Sequence, residues 1–364
     1  MTTMTRPPAQ QSRTYPAHAH GLARRVLLTR EMAVVLGLLV VYAWSWFNVA
    51  YFDQPLTMFN LLRDNATILM IALPMTLIIV TGEIDLSVSS TLAVSAAVTG
   101  VLVKDGGLSV PAAAVIAILV GCLLGALNGA LVAYAGLPSL AVTIGTLALY
   151  RGLVEGIIKT KQVSDFPAKW QDLATTHIGD SPLPVVVIPI VVMAIAFALL
   201  LHFTSFGRGI VEIGLNDEAA HFSGVNVPRT KLILFTLSGA VSAFAGVYAL
   251  MRSNSVAIDT GTGVELQVIA AVLLGGVSIF GGRGAIHGVI AGVLLIGVLS
   301  SSLRLLGQGS ETITIIIGLL LVASVVSSNF LPRLRELGAS LRPRQKATAA
   351  QPTTTPTSGE NPER

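Results

Sequence analysis

The sequence predicts an all-α polytopic membrane protein of about ten transmembrane helices, and three observations carry that prediction. Only 12% of the 364 residues are charged while 53% are hydrophobic, against about 25% charged in a typical soluble domain. The mean hydropathy is +0.76. Charge-free apolar stretches of about 17 residues or more, long enough to cross a bilayer, recur at 32–52, 65–82, 86–103, 106–150, 181–201, 232–251, 266–282, 284–303 and 312–332.

Taken in order, residues 1–30 form a polar tail, and the first span, 32–51, follows it. No small-residue cleavage site follows that span, so it is expected to stay as an anchor. Spans two and three, 65–82 and 86–104, are separated by the stretch TGEIDLSVSS (81–90). The run 106–150 is too long for one crossing, and Gly136, Pro138 and Ser139 interrupt it where a turn fits. It therefore splits into 111–134 and 139–158. A loop at 159–182, containing Pro167 and Trp170, leads to span six, 183–203. A second long loop, 204–231, precedes the last four spans at 232–252, 264–280, 285–304 and 311–330. Residues 333–364, rich in Thr and Pro without an apolar period, read as a disordered tail, leaving 31–332 as the membrane domain.

Basic residues set the expected orientation. With the N-terminus inside, 15 of the 23 Lys and Arg residues fall on the inner side, which favours both termini being cytoplasmic. A net charge of +4 then needs no nucleic-acid partner, because basic residues suit the inner membrane face. The single cysteine, Cys122, lies within a span, so neither an internal disulfide nor a thiolate metal site is expected, and no cofactor is called for.

A weak internal echo appears at a shift of about 174 residues. Ile84-Asp85 falls on Ile258-Asp259 and Ala96-Ala97-Val98 on Ala270-Ala271-Val272; with small changes of shift, Gly106-Gly107 falls on Gly281-Gly282 and Ile144-Gly145 on Ile317-Gly318. The match pairs spans two to five with spans seven to ten. An offset of five spans, an odd number, would insert the second copy upside down, as in transporters built from inverted repeats.

Within the loop 204–231, the stretch GLNDEAAHFSGVNVP (214–228) specifies a two-turn helix too short to cross a bilayer. Asn216 or Asp217 can cap its start, Glu218 suits the positive end of its dipole, Ala219 and Ala220 favour helix, and Gly224 can close it in the left-handed conformation. Two readings fit these residues equally: a plain surface connection, or a coupling helix docked into a partner subunit.

In TGEIDLSVSS, Asp85 can cap the helix that follows, supported by Ser87, while Gly82 permits a sharp turn. Carboxylates at a membrane turn can also serve as an ion relay. In span five, Thr143 and Thr146 share a helix face and can either offer hydroxyls to a polar solute or bond their own backbone. Asn128 in span four is either a path-lining group or interhelical glue. Arg151 can snorkel to the interface or pair with Glu155. Glu265 and Gln267 suit the start of span eight.

Between 275 and 284, five of ten residues are glycine (Gly275, Gly276, Gly281, Gly282, Gly284), which fits a tight reversal. A phosphate cradle would need Lys-Ser or Lys-Thr opening a helix, and Arg283-Gly284-Ala285 stands there instead.

Four strings in order, TGEIDLSVSS (81–90), LPSLAVTIGTLALYRGL (137–153), IGLNDEAAHFSGVNVPRTK (213–231) and ELQVIAAVLLGGVSIFGGRGAIHGVIAG (265–292), carry a family resemblance. The chain resembles the permeases of the ribose, xylose, rhamnose and autoinducer-2 ABC import family over about residues 30–330, and Glu218-Ala219-Ala220 with Gly224 matches that group's coupling signature. The resemblance implies a transport subunit, not an enzyme, in the inner membrane, moving a sugar in binding-protein-dependent import. It further implies ATP-binding cassette subunits that hydrolyse the ATP, a periplasmic sugar-binding protein and a second permease subunit, identical or paralogous. The family usually reads TGGIDLS, so Glu83 stands where a glycine is usual and puts the turn geometry in question; the GEIDLS spelling resembles the rhamnose and autoinducer-2 branches. The alternative is an ion-coupled secondary transporter using Glu83 and Asp85; an intramembrane enzyme is disfavoured because His202, His221 and His287 are scattered.

Overall fold

The computed structural model describes residues 30–159, 162–164, 166–320, 322 and 326. The two terminal tails expected from the sequence lie outside the described residues, except that Arg30 opens the first helix. The chain forms α1 (Arg30–Asn48), α2 (Pro55–Val80), α3 (Val88–Lys104), α4 (Val110–Ala133), α5 (Ser139–Ile158), β1 (Val163–Ser164), α6 (Ala168–Thr175), α7 (Val187–Phe203), α8 (Ser205–Leu215), α9 (Asp217–Phe222), α10 (Val227–Ser253), β2 (Ser255–Val256), α11 (Val264–Leu274), α12 (Ile286–Leu305) and α13 (Ser310–Leu320). Six of these, α1, α2, α4, α5, α10 and α12, are long and apolar enough to cross a membrane, and the pair α7 and α8, bent by 69°, would make a seventh. Helices α3, α11 and α13 are apolar but shorter. The molecule is therefore a polytopic helical membrane protein.

Local chemistry sets the element ends. Proline stands in the first turn of α2, α4 and α10, where its missing N–H costs nothing. The bend into α8 is fixed by Thr204, whose Oγ1 accepts from the Gly207 amide at 3.0 Å. Asn226 Oδ1 caps α10 by accepting from the Arg229 amide at 3.1 Å.

Several boundaries differ from the sequence-based expectation. α2 begins ten residues before the expected start: Arg63 and Asp64, which bounded the charge-free run, lie within the helix, where Asp64 pairs with Arg252 at 3.1 Å. α11 ends at Leu274 rather than 280, since Gly276 takes φ +94° and breaks it. At 11 residues it spans about 16 Å, half of a ~30 Å hydrocarbon core. The loop 204–231 holds α8 as well as the expected short helix, and the loop 159–182 holds α6 and β1, with β1 paired antiparallel to β2 across the chain.

α2 is the centre of the bundle: 89% of its apolar window is buried, against 6% for α1 at the periphery. α4 meets α10 through small residues, with Gly121 and Gly125 lying so close to the α10 backbone at Phe235 and Gly239 that an added Cβ would collide with it. α4 packs on α10 and α3, and α12 packs on α2 and α11. One end of the bundle carries α9 with the turns 81–87 and 275–285, and the other carries β1, β2, α6 and the connection 254–263.

Candidate functional site

The turn 81–87 is where the family strings meet. Gly82 supplies the left-handed residue, φ +83°, and Glu83 does not take a positive φ, so the glutamate is not strained by the turn. Asp85, 2% exposed, is not the N-cap of α3: that position is Ser87. Asp85 Oδ1 instead accepts from the Ser87 amide at 3.0 Å and the Ser87 hydroxyl at 2.6 Å, closing the turn before the helix, and Oδ2 accepts from Ser238 Oγ of α10 at 3.1 Å. Asn128 Nδ2 of α4 donates to Ser87 Oγ at 2.7 Å, and the Tyr150 hydroxyl of α5 lies 3.2 Å from Asn128 Oδ1.

α5 clasps the same turn. The Ile84 amide donates to Ser139 Oγ at 3.2 Å, and Thr143 Oγ1 donates to the Ile84 carbonyl at 3.2 Å. Thr146 Oγ1 donates to the Val142 carbonyl one turn back at 3.1 Å. Asn128, Thr143 and Thr146 are all buried, and their polar atoms are taken up by protein partners; none lines the clefts described below.

The backbone of the turn meets two other segments. The Gly282 amide donates to the Val80 carbonyl at 2.8 Å, and Gly214 of α8 sits against Val80 and Gly282 with no room for a Cβ. Gly281 and Gly282 take φ +81° and +73°, which lets the 275–285 reversal reach this point; Gly275, earlier in the reversal, packs on Val289 of α12. α9 follows directly from α8. Asn216 Oδ1 caps it by accepting from the Ala219 amide at 2.8 Å, Asp217 and Glu218 occupy its first turn, and Gly224 closes it at φ +94°. Ala220 is buried beneath it, while Leu215 and Phe222 are exposed to 68% and 81%.

Glu83 points to this helix through a lysine. Lys231 Nζ, on the first turns of α10, lies 2.6 Å from Glu83 Oε1 and 2.6 Å from Asp217 Oδ2, with only 11% of its side chain exposed. In the sequence, Lys231 reads only as one of the 15 basic residues expected on the inner side. Its position at the head of an apolar span was the available signal, because a lysine there needs a partner.

At the opposite end, a cleft of about 540 Å³ opens between α2, α10 and the connection 254–263. Its lining includes Asp64, Thr67, Arg252, Asp259, Thr260 and Gln267, a set rich in hydroxyl, carboxylate and amide groups. That size is within the usual range for small-molecule sites. Beside it, Asp64 Oδ1 pairs with Arg63 and Arg252, each at 3.1 Å, and Arg304 stands 4.0 Å from Oδ2. Arg151 holds the connection by donating to the Thr260 carbonyl at 2.6 Å, rather than pairing with Glu155. Among the described residues no group of three or more His, Cys, Asp or Glu could hold a metal ion.

Comparison with known proteins identifies the family. A family described as "Branched-chain amino acid transport system / permease component" matches residues 57–325. Proteins named "Autoinducer 2 import system permease protein LsrD" from Yersinia enterocolitica and Yersinia pseudotuberculosis are each 34% identical over 262 residues, covering 70% of this chain and 78% of theirs. The Yersinia pestis protein of that name is 33% identical over the same length. No solved structure matches.

Proposed function

The chain belongs to the family of branched-chain amino acid transport system permease components, and from that premise we propose that it is the membrane subunit of an ATP-driven importer carrying a small sugar-like solute, of the autoinducer-2 kind, across the cytoplasmic membrane. One observation carries the reading. A capped six-residue helix with an exposed rim stands beside the 81–87 turn of the membrane bundle, joined to it through Lys231. Such a helix is suited to receive a push from a partner rather than to cross the bilayer.

ATP hydrolysis is assigned to a partner cassette subunit, and Asn216, Asp217, Glu218, Ala219, Ala220 and Gly224 to the lever on which it acts. A periplasmic binding protein delivers the solute, and a second permease subunit completes the path. The polar cleft at the α10–α11 connection is the mouth of that path on this subunit, because its hydroxyl, amide and carboxylate groups match a polyhydroxylated solute. Asn128 and Thr143 hold α4 and α5 to the 81–87 turn, and Thr146 bonds the backbone of its own helix, which leaves the path to be lined by other residues.

The α9 end faces the cytoplasm, together with both termini. Ten crossings follow if the seven long candidates and the three shorter apolar helices are all counted. The inverted repeat is supported by packing: α4 sits on α10 and α3 as α12 sits on α2 and α11, which is the pairing expected if the copies exchange places. The polar breaks after α2 and after α10 also correspond.

The test is transport in vesicles holding the full complex. Glu218→Ala and Gly224→Val are expected to leave ATPase activity present while uptake falls, with assembly unchanged. Uptake that persists without ATP and collapses with the ion gradient would instead support the secondary transporter.

A further inference from the structure

We propose that Glu83, Lys231 and Asp217 form a charged tie that transmits movement of α9 to the core of the bundle in both directions, and that all three are positioning residues for coupling. The proposal rests on the reading of α9 as the lever. Lys231 has three N–H donors, enough to hold two carboxylates at once, and both oxygens stand at 2.6 Å. The two carboxylates come from different bodies. Asp217 opens α9, and Glu83 belongs to the 81–87 turn.

The second body reaches most of the bundle. Within five residues of the turn, Ile84 is bonded to Ser139 and Thr143 of α5, Asp85 to Ser238 of α10, and Ser87 to Asn128 of α4. A displacement felt at Glu83 is therefore felt by three helices. A second contact near the lever is the backbone seat of Gly214, on α8 just before it, against Val80 and Gly282. A steric seat resists compression and nothing else. An ion pair also resists separation, so the tie supplies the pull that the seat cannot.

Electrostatics make the tie sensitive to its members. Two carboxylates share one ammonium that is 11% exposed, while Asp217 is 50% exposed and Glu83 16%. The exposed half, Lys231 with Asp217, is the part that a docked partner can loosen. The sheltered half, Lys231 with Glu83, is the part that stays when it does.

The experiment uses the permease assembled with its ATP-binding subunits and binding protein in vesicles, and reads solute imported per ATP hydrolysed. Glu83→Gln and Lys231→Met are each expected to lower that ratio by at least about fivefold. Their double variant should be no worse than Lys231→Met alone, because that change already removes the bond that Glu83→Gln weakens. Lys231→Arg, which keeps the charge, should retain more than half of the ratio, and it serves as the second variant should Glu83→Gln fail to accumulate. Normal ratios in Glu83→Gln and Lys231→Met, or equal loss in Lys231→Met and Lys231→Arg at equal assembly, would overturn the tie. Glu218→Ala separates the two failures: if it uncouples while Glu83→Gln does not, the tie alone is wrong, and if it transports normally, the lever reading falls and the tie with it.

Discussion

Asp85 and Glu83 stand two residues apart and do different work. Asp85 takes three bonds from neutral donors, the Ser87 amide and hydroxyl and the Ser238 hydroxyl, so what the site needs from it is acceptor capacity. Asparagine can keep the Ser87 bonds and turn its amide toward Ser238, whose oxygen can accept. Asp85→Asn is therefore expected to import at a rate within about twofold of the native protein, under ~0.5 kcal/mol of barrier. An ion relay would lose uptake altogether with the same change. Asp85→Ala strands buried donors at about 1–3 kcal/mol each, and should lower the melting temperature in detergent. The hydrogen-bonding role of Asp85 was legible in its sequence because its main partner, Ser87, is local, although the cap position was misplaced by two residues. Glu83 was not legible, because its partner Lys231 lies at the head of a helix far along the chain, and only folding brings them together.

At the level of elements, the sequence revealed helices wherever charge-free runs matched the bilayer, and failed where polar residues are sheltered by protein. α2 continues past Arg63 and Asp64 because Arg252 and Arg304 gather round the same carboxylate, and α11 stops early because a glycine turn follows it. α8 was missed because an 11-residue helix starting at a 69° bend has no bilayer-length signature. Glycines at close backbone contacts give the sharpest test of this packing. Gly214→Ala would drive a Cβ into the Val80 carbonyl and the Gly282 amide, an overpacking cost of about 1–3 kcal/mol. Reduced thermal stability and reduced ATP-driven uptake are expected together. Gly152→Ala on α5, where nothing lies within 4 Å of the added carbon, should be neutral or stabilising by up to ~1 kcal/mol, from helix propensity alone.

For the whole molecule, the inverted repeat stands or falls on one segment. The copies can be inverted only if an odd number of crossings separates them, and the crossing that makes the number odd is the bent pair α7 and α8. A helix pair bent by 69° can cross once or turn back on itself, and length and composition do not distinguish the two. Sidedness does. Leu173 on α6 and Phe222 on α9 are exposed residues that flank the pair, 46% and 81% accessible respectively. In a Cys122→Ser background, free of the chain's own thiol, a membrane-impermeant maleimide applied to intact cells should label the Leu173→Cys variant and spare the Phe222→Cys variant until the membrane is opened. That pattern makes α7 and α8 one crossing, puts the lever in the cytoplasm beside an ATP-hydrolysing partner, and leaves the polar cleft facing the side from which solute arrives. Labelling of both from outside would make the pair re-entrant, remove the inversion, and place α9 where no cytoplasmic ATPase could reach it. Labelling of Phe222→Cys alone would reverse the orientation that the basic residues predict, and with it the direction of import.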